Sequence, residues 1–294
     1  MNILSLGDLL LDVVVRYDPL SGEADTGPDG VRTLPGGSAA NFAVHAARRG
    51  ANVRFGSRVG CDWEGEMLAR SLQSEGVAAS VRTVQEAATG RVLVMVDAAG
   101  HRRMWSYPGA SSTLSSDDFN PEWFSNLDAF HLTGYSLLRD GPRAAALHAL
   151  DMARSGGAPL CTLDPNPPHL ISDYGPMRYR DLLAHLSFDV IFPNLEEGRL
   201  LSGKETPEDI AAGLLDISPV VVLTLGEHGC MVATHAGTLE VSAAQVDRVV
   251  DVTFEGDAFE AGFVVEYLKS RDPRQAAIAA NVTAGEVVRH VGAR

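Results

Sequence analysis

The stretch VRFGSRVGCDWEGEMLARSLQSEG, residues 53–76, reads as a strand, a turn and a helix in succession. Val53, Phe55 and Val59 are spaced by even numbers, the period of a pleated strand over 53–59. Leu68 and Leu72 lie four apart, on one face of a helix over 64–76. Asp62 stands between them, where a short acidic side chain caps a first helical turn. The same alternation extends in both directions. Strands are expected at 3–7, 129–134, 159–164, 188–193 and 220–226, and further helices at 39–50 and 142–157. This predicts an α/β fold, a doubly wound and mostly parallel sheet flanked by helices, as a single domain over 1–294. Ligands of such sheets gather beyond the carboxyl ends of the strands, so the turns that follow strands matter most.

Two stretches break the alternation. Residues 9–17 and 31–34 flank a Gly/Asp/Pro-rich loop, and 90–97 and 101–107 flank a short Ala-Ala-Gly hairpin signal. Strands without intervening helices predict a small inserted β-sheet, with lid strands at about 10–34 and 90–108. Such an insertion serves as a lid over a site or as a dimer interface.

Composition narrows the function. A formal charge of −14 argues against a nucleic-acid groove or an anionic membrane surface as the main partner. Cys61, Cys161 and Cys230 are widely spaced and form no CxxC pair, as expected of reduced thiols in a cytoplasmic protein. The apolar N-terminus lacks a basic region and contains Asp8 and Asp12, so it reads as strands and not as a signal peptide. No apolar run reaches membrane-spanning length, and the histidines form no HExxH zinc motif.

Five turns carry candidate chemistry. Asp8 and Asp12 bracket the end of the first strand, either as carboxylates that meet substrate hydroxyls or as solvated turn acids. LPGGSAANFAVHAARRG (34–50) sets Gly36 and Gly37 ahead of a helix with Ser38 as its expected N-cap, and Asn41 offers a donor and an acceptor on the first turn. FPNLEEG (192–198) puts Asn194 and Glu197 after a strand, either as a helix cap or as oxygen ligands for hydrated Mg²⁺. TLGEHG (224–229) supplies Thr224, Gly226 and Gly229, as a phosphate-cradling turn or a plain hairpin. DVTFEGDAFEAGF (251–263) continues a β-branched run from Val246 into a turn holding Glu255 and Asp257, with Glu260 one helical turn on, either a further acid at the helix start or a water-facing one. GRLLSGKE (198–205) only imitates a P-loop. Glu205 stands where a Mg²⁺-binding Ser or Thr is needed, and Gly203 reads as a helix C-cap. No GxGxxG follows the first strand, which argues against a dinucleotide dehydrogenase.

In this order, Gly7/Asp8/Asp12, PGGSAAN (35–41), VGCDWEG (59–65), SEGV (74–77), YPGA (107–110), DPNP (164–167), NLEE (194–197), TLGEHG and EGDAFEAGF resemble the ribokinase-like (PfkB) carbohydrate kinase family. The resemblance spans essentially the whole chain. It implies transfer of the γ-phosphoryl of ATP to a sugar hydroxyl, with Mg²⁺, in many members K⁺, and a homodimer built through the lid. It further implies that Asp257 is the catalytic base and that the Gly256 amide belongs to an anion hole. Asp12, Gly36, Gly37 and Asn41 match substrate-binding positions. Asn194, Thr224, Gly226, Gly229 and Asn281 match nucleotide-binding positions. Glu197 matches an indirect Mg²⁺ site, and Asp251 and Thr253 a monovalent-cation site.

The chain departs from the family at two places. Phe254, Glu255 and Gly256 replace the usual Gly-Ala-Gly before the base. The backbone donors survive, yet Glu255 brings charge toward a polyphosphate, worth roughly 3 kcal/mol at about 5 Å and an effective dielectric of 20. Pro168 stands where related sugar kinases often carry arginine. Two alternatives follow: a non-catalytic or weakly active relative that binds sugar or nucleotide, and a nucleoside kinase.

Overall fold

The computed structural model describes residues 1–18, 27, 30–97, 102–157, 160–250, 255–289 and 292. In chain order the strands begin β1 (Asn2–Leu6), β2 (Leu10–Tyr17), β3 (Val31–Gly36), β4 (Asn52–Gly60), β5 (Ala78–Val84), β6 (Gly90–Asp97) and β7 (Arg102–Tyr107). They continue with β8 (Ala129–Thr133), β9 (Cys161–Asp164), β10 (Val190–Ile191), β11 (Val220–Thr224), β12 (Cys230–Thr234) and β13 (Gly237–Val241). The helices are α1 (Ser38–Arg48), α2 (Trp63–Ser74), α3 (Gly134–Leu138), α4 (Asp140–Ser155) and α5 (Pro168–Tyr174). After them come α6 (Pro176–Leu186), α7 (Leu195–Ser202), α8 (Pro207–Gly213), α9 (Glu255–Ser270) and α10 (Pro273–Val287).

Among the described residues the main sheet runs β13-β12-β11-β10-β9-β8-β1-β4-β5. It is parallel from β11 to β5, and β12 and β13 are added antiparallel. Strands such as Val220–Thr224 are almost wholly apolar because helices cover both sheet faces. Phe130, Leu163, Tyr179 and Leu201 fill one core, under α4 to α8. Phe42, Val222, Phe263 and Ala280 fill the other, under α1, α9 and α10. The chain passes from β1 outward to β4 and β5, then returns to β8 on the other side of β1. The strand order therefore reverses between β1 and β8, and a ligand crevice opens at their carboxyl ends.

Residues of the second sheet run β3-β2-β6-β7, with β2 and β6 parallel and the outer pairs antiparallel. One face carries Leu10, Val14, Val92 and Val94 in a small buried cluster. The opposite face carries Leu93 in register with Trp105, together with Val31 and Tyr107, all exposed.

Some expectations shift. β10 shrinks to two residues, although Phe192 N still donates to Leu163 O and Pro193 O still accepts from Thr224 N. The β-branched run from Val246 forms no strand over 246–250; Val250 N donates to Val288 O at 2.7 Å, so the segment is pinned to the end of α10. TLGEHG is the hairpin turn between β11 and β12. Asp62 caps α2 through Gly65 N at 2.9 Å, and Gly203 ends α7 at φ 66°.

Candidate active site

The site begins at the end of β1. Gly37 precedes α1 at φ 99°, and a Cβ there would fall 2.4 Å from Asp8 O, so only glycine fits. The Asp8 carboxylate then accepts from Ser38 N at 2.8 Å and from Ala39 N at 3.4 Å. Asp8 thus takes over the capping of α1, and Ser38 is its first residue instead of the expected N-cap. The Ser38 hydroxyl is left to donate to Asp257 Oδ1 at 2.5 Å. Asn41 Nδ2, one turn along α1, donates to Asp257 Oδ2 at 2.8 Å. Each carboxylate oxygen of Asp257 therefore has a donor from α1.

The neighbouring strands complete the floor. Beyond β9, Asn166 Nδ2 donates to Asp164 and lies 3.4 Å from Ser38 Oγ. Beyond β10, Asn194 and Glu197 form a reciprocal capping box, each bond 2.9 Å. Thr224, at the end of β11, bridges to Asn194. The lid lowers Asp12 onto the crevice. A Cβ at Gly36 would sit 2.0 Å from Asp12 Oδ2, so that glycine makes room for the carboxylate.

Three cavities meet here, one of about 700 Å³ lined by Asn194, Thr224, Gly226 and Glu255 among others. Of the other two, the larger, about 580 Å³, is lined by Asp12, Gly37, Asp164, Asn194, Glu197 and Asp257 among others. The smaller, about 310 Å³, lies between the Thr224–Gly229 turn and Asn281 of α10. They share Thr224, Glu255 and Gly256, the last two in the first turn of α9. A Cβ at Gly256 would meet nothing within 4 Å, so space lies open beside this helix start. Its first amides lack intrahelical partners and face the junction with the positive end of the helix dipole.

The candidate residues divide accordingly. Asp12, Gly37, Asn194, Glu197 and Asp257 meet in the larger cavity, and Thr224, Gly226, Gly229 and Asn281 in the smaller. Gly36 and Asn41 line neither; they position Asp12 and Asp257. Asn281 donates to Val241 O and Ser242 O at 3.2 and 3.1 Å, fastening the cavity wall. Asp251 and Thr253, with Phe254, lie outside the described residues. Glu260 is buried and does not face water. Ser38, Asp164, Asn166 and Glu260 join the site from motifs already noted but given no site role, the DPNP and PGGSAAN stretches being the signal, whereas Arg139 is revealed only by its three-dimensional neighbours.

Burial dominates the electrostatics. Desolvation, then the charges of Glu197 and Asp257, push the Asp164 carboxyl well above the usual range. Desolvation also raises Glu260, with Asp164 the next cause, and lifts Glu197 to about 7. His131 is pushed down to about 3 by burial. Its Nε2 lies 3.4 Å from Glu260 Oε2, its Nδ1 2.9 Å from Thr162 Oγ1, and its ring stacks on Phe42 at 3.7 Å. These opposite shifts, both caused by burial, disfavour an ion pair between the two groups.

Mg²⁺ fits this donor set in one form. The donors are oxygen, as a hard cation prefers, but no three acids, histidines or cysteines converge as a metal cage among the described residues. Glu197, already held in its capping box, would hold the ion through water, with most ligands left to water and phosphate.

The profile of the family described as pfkB family carbohydrate kinase matches residues 1–294. The chain is 31% identical to probable fructokinase-4 of Arabidopsis thaliana over 278 residues, 92% of this chain and 83% of that one. It is 31% identical to 2-dehydro-3-deoxygluconokinase of Bacillus subtilis over 236 residues, 78% and 72% of the two chains. The crystal structure of adenosine kinase from Sinorhizobium meliloti shares the fold at a TM-score of 0.90 and 24% identity, covering 100% of this chain and 95% of that one.

The depressed His131 makes a pH prediction. The unfolded chain takes up this proton near 6.5 and the folded chain only near 3, so its contribution is complete above 6.5 and is lost as pH falls through that window. In urea titrations, His131→Gln should show a flatter decline in stability from pH 6.5 toward 3 than the native protein. Parallel declines would place the protonation elsewhere.

Proposed function

This chain belongs to the pfkB family of carbohydrate kinases, and we propose that Asp257 is the base that opens its ATP-dependent phosphorylation of a sugar hydroxyl. The observation that supports this reading is the double donation from Ser38 and Asn41 to Asp257, where the two cavities meet. The sugar occupies the larger cavity under Asp12 and the lid, and the nucleotide the smaller one. Asp257 accepts the proton of the acceptor hydroxyl as its oxygen bonds to the γ-phosphorus. The bond from that phosphorus to the β-phosphate oxygen breaks, and ADP leaves with the electron pair. Amides at the start of α9, Gly256 included, face the charge on the transferring group. Asn194 and Glu197 would hold Mg²⁺, which when bound neutralises phosphate oxygens. K⁺ is assigned to the segment with Asp251 and Thr253, and the cytoplasm, where ATP and reduced thiols coexist, is the compartment.

The panel that tests this couples ADP release to addition of sugars and of adenosine, with and without K⁺. Asp257→Asn should lower turnover by about 10³-fold. Ser38→Ala should lower it roughly tenfold, the effect of one hydrogen bond to a charged group. Turnover of Asp257→Asn equal to native would remove the base.

One observation favours a weakly active enzyme: Glu255 lines both cavities. Glu255→Ala should therefore raise kcat/KM for ATP, by up to about a hundredfold if the full like-charge cost falls on the transition state. A native rate already equal to that of the variant would dismiss this reading.

The exposed outer lid face, with Leu93, Trp105 and Tyr107, supports an isologous homodimer. Sedimentation equilibrium should give a dimer for the native chain and a monomer for Trp105→Glu. A monomeric native chain would refute the assignment.

A further inference from the structure

Arg139 stands apart in a cavity otherwise rich in acids. It joins α3 to α4 and is the one Arg or Lys lining the larger cavity among the described residues. Its Nε is shielded from solvent without a hydrogen-bond partner, and the residue forms no ion pair. The nearest aromatic contact is Tyr135, 5.7 Å from the guanidinium to the ring centre. Other well-covered arginines are paired, Arg58 with Asp118 and Arg180 with Asp216. A guanidinium does not give up its proton, so a covered one without a counterion leaves its desolvation uncompensated until an anion arrives. Asp8 feels the Arg139 charge but lies outside ion-pair distance, and its oxygens already accept from the amides at the start of α1.

A recess beside Arg139 lies apart from the nucleotide side of the site. It has a volume of about 20 Å³ and is walled by Ser106, Tyr135 and Ser136. This recess adjoins the larger cavity through Asp8, Leu10, Ser106, Tyr135 and Arg139. None of the residues shared with the nucleotide cavity, Thr224, Glu255 and Gly256, borders it. Its volume holds about one water-sized group, which suits an oxygen of a planar carboxylate and not a whole phosphate. The Ser106 and Tyr135 hydroxyls supply neutral donors beside the guanidinium, the surroundings a bound carboxylate needs.

Building on the kinase reading of the larger cavity, we propose that the phosphoryl acceptor is a sugar acid whose carboxylate pairs with Arg139 while a hydroxyl of the same molecule reaches Asp257. Arg139 then selects the substrate from a place other than Pro168, where related sugar kinases often have arginine.

The test measures coupled ADP release and calorimetric binding with D-gluconate, 2-dehydro-3-deoxy-D-gluconate, D-fructose, D-ribose and D-fructose 6-phosphate. Native protein should favour a sugar acid over the neutral sugars. Arg139→Met should weaken sugar-acid kcat/KM about 100-fold, mainly through KM, and Arg139→Lys should recover part of it. Binding to Asp257→Asn separates the two readings. Arg139-dependent binding of a sugar acid without turnover in the native enzyme would keep the subsite and remove the kinase reading. Turnover of neutral sugars equal to that of acids, or unchanged by Arg139→Met, would overturn the subsite and keep the kinase. Preference for the 6-phosphate would overturn the carboxylate assignment.

Discussion

The structure of the site rests on one contact: α1 and α9, packed in one core, meet at their first turns through Ser38, Asn41 and Asp257. A carboxylate buried among Asp164, Glu197 and Glu260 would be repelled from that place unless donors met both of its oxygens. The two donors lie one turn apart on a single helix, so the position of α1 determines the position of the Asp257 carboxylate. That helix is fixed in turn by Gly37 and by Asp8, whose carboxylate takes the capping duty that Ser38 would otherwise serve. Four residues from the first forty or so thus hold a side chain more than two hundred positions away.

Burial sets the electrical character of the crevice. Asp164, Glu197 and Glu260 are all pushed toward their neutral forms, first by desolvation and then by neighbouring acids, Glu197 acting on Asp164, Glu196 on Glu197 and Asp164 on Glu260. Glu260 and His131 face one another below the crevice, and burial pushes the carboxyl up and the imidazole down, so both shifts oppose charge there. Negative charge is concentrated instead on groups with donors, which is where a proton acceptor is useful. Glu255 is the exception, an acid at the cavity junction where polyphosphate is expected.

Most of the architecture was legible in residue periodicity. Continuous apolar strands such as β11 and amphipathic helices such as α2 carry strong local signals, and both form. β5 was missed because it is a largely exposed edge strand, and β12 and β13 because their hairpin follows a turn read for its ligand chemistry. The run from Val246 has strand-like residues but no strand partner, and a bond to the end of α10 replaces the ladder. Site residues in turns after strands were visible as motifs. Ser38 and Asn41 were visible too, but their partner was not, since hydrogen bonds across more than two hundred residues leave no local pattern. Arg139 has no motif at all; the break between α3 and α4 brings it to the cavity.

The coupling between α1 and Asp257 can be measured directly. In a double-mutant cycle on turnover, Ser38→Ala is combined with Asp257→Asn and each variant is assayed alone and together. If Ser38 acts through the base, its replacement lowers turnover in the native background and costs nothing further once Asp257 is Asn. Independent, additive losses in the two backgrounds would contradict the account.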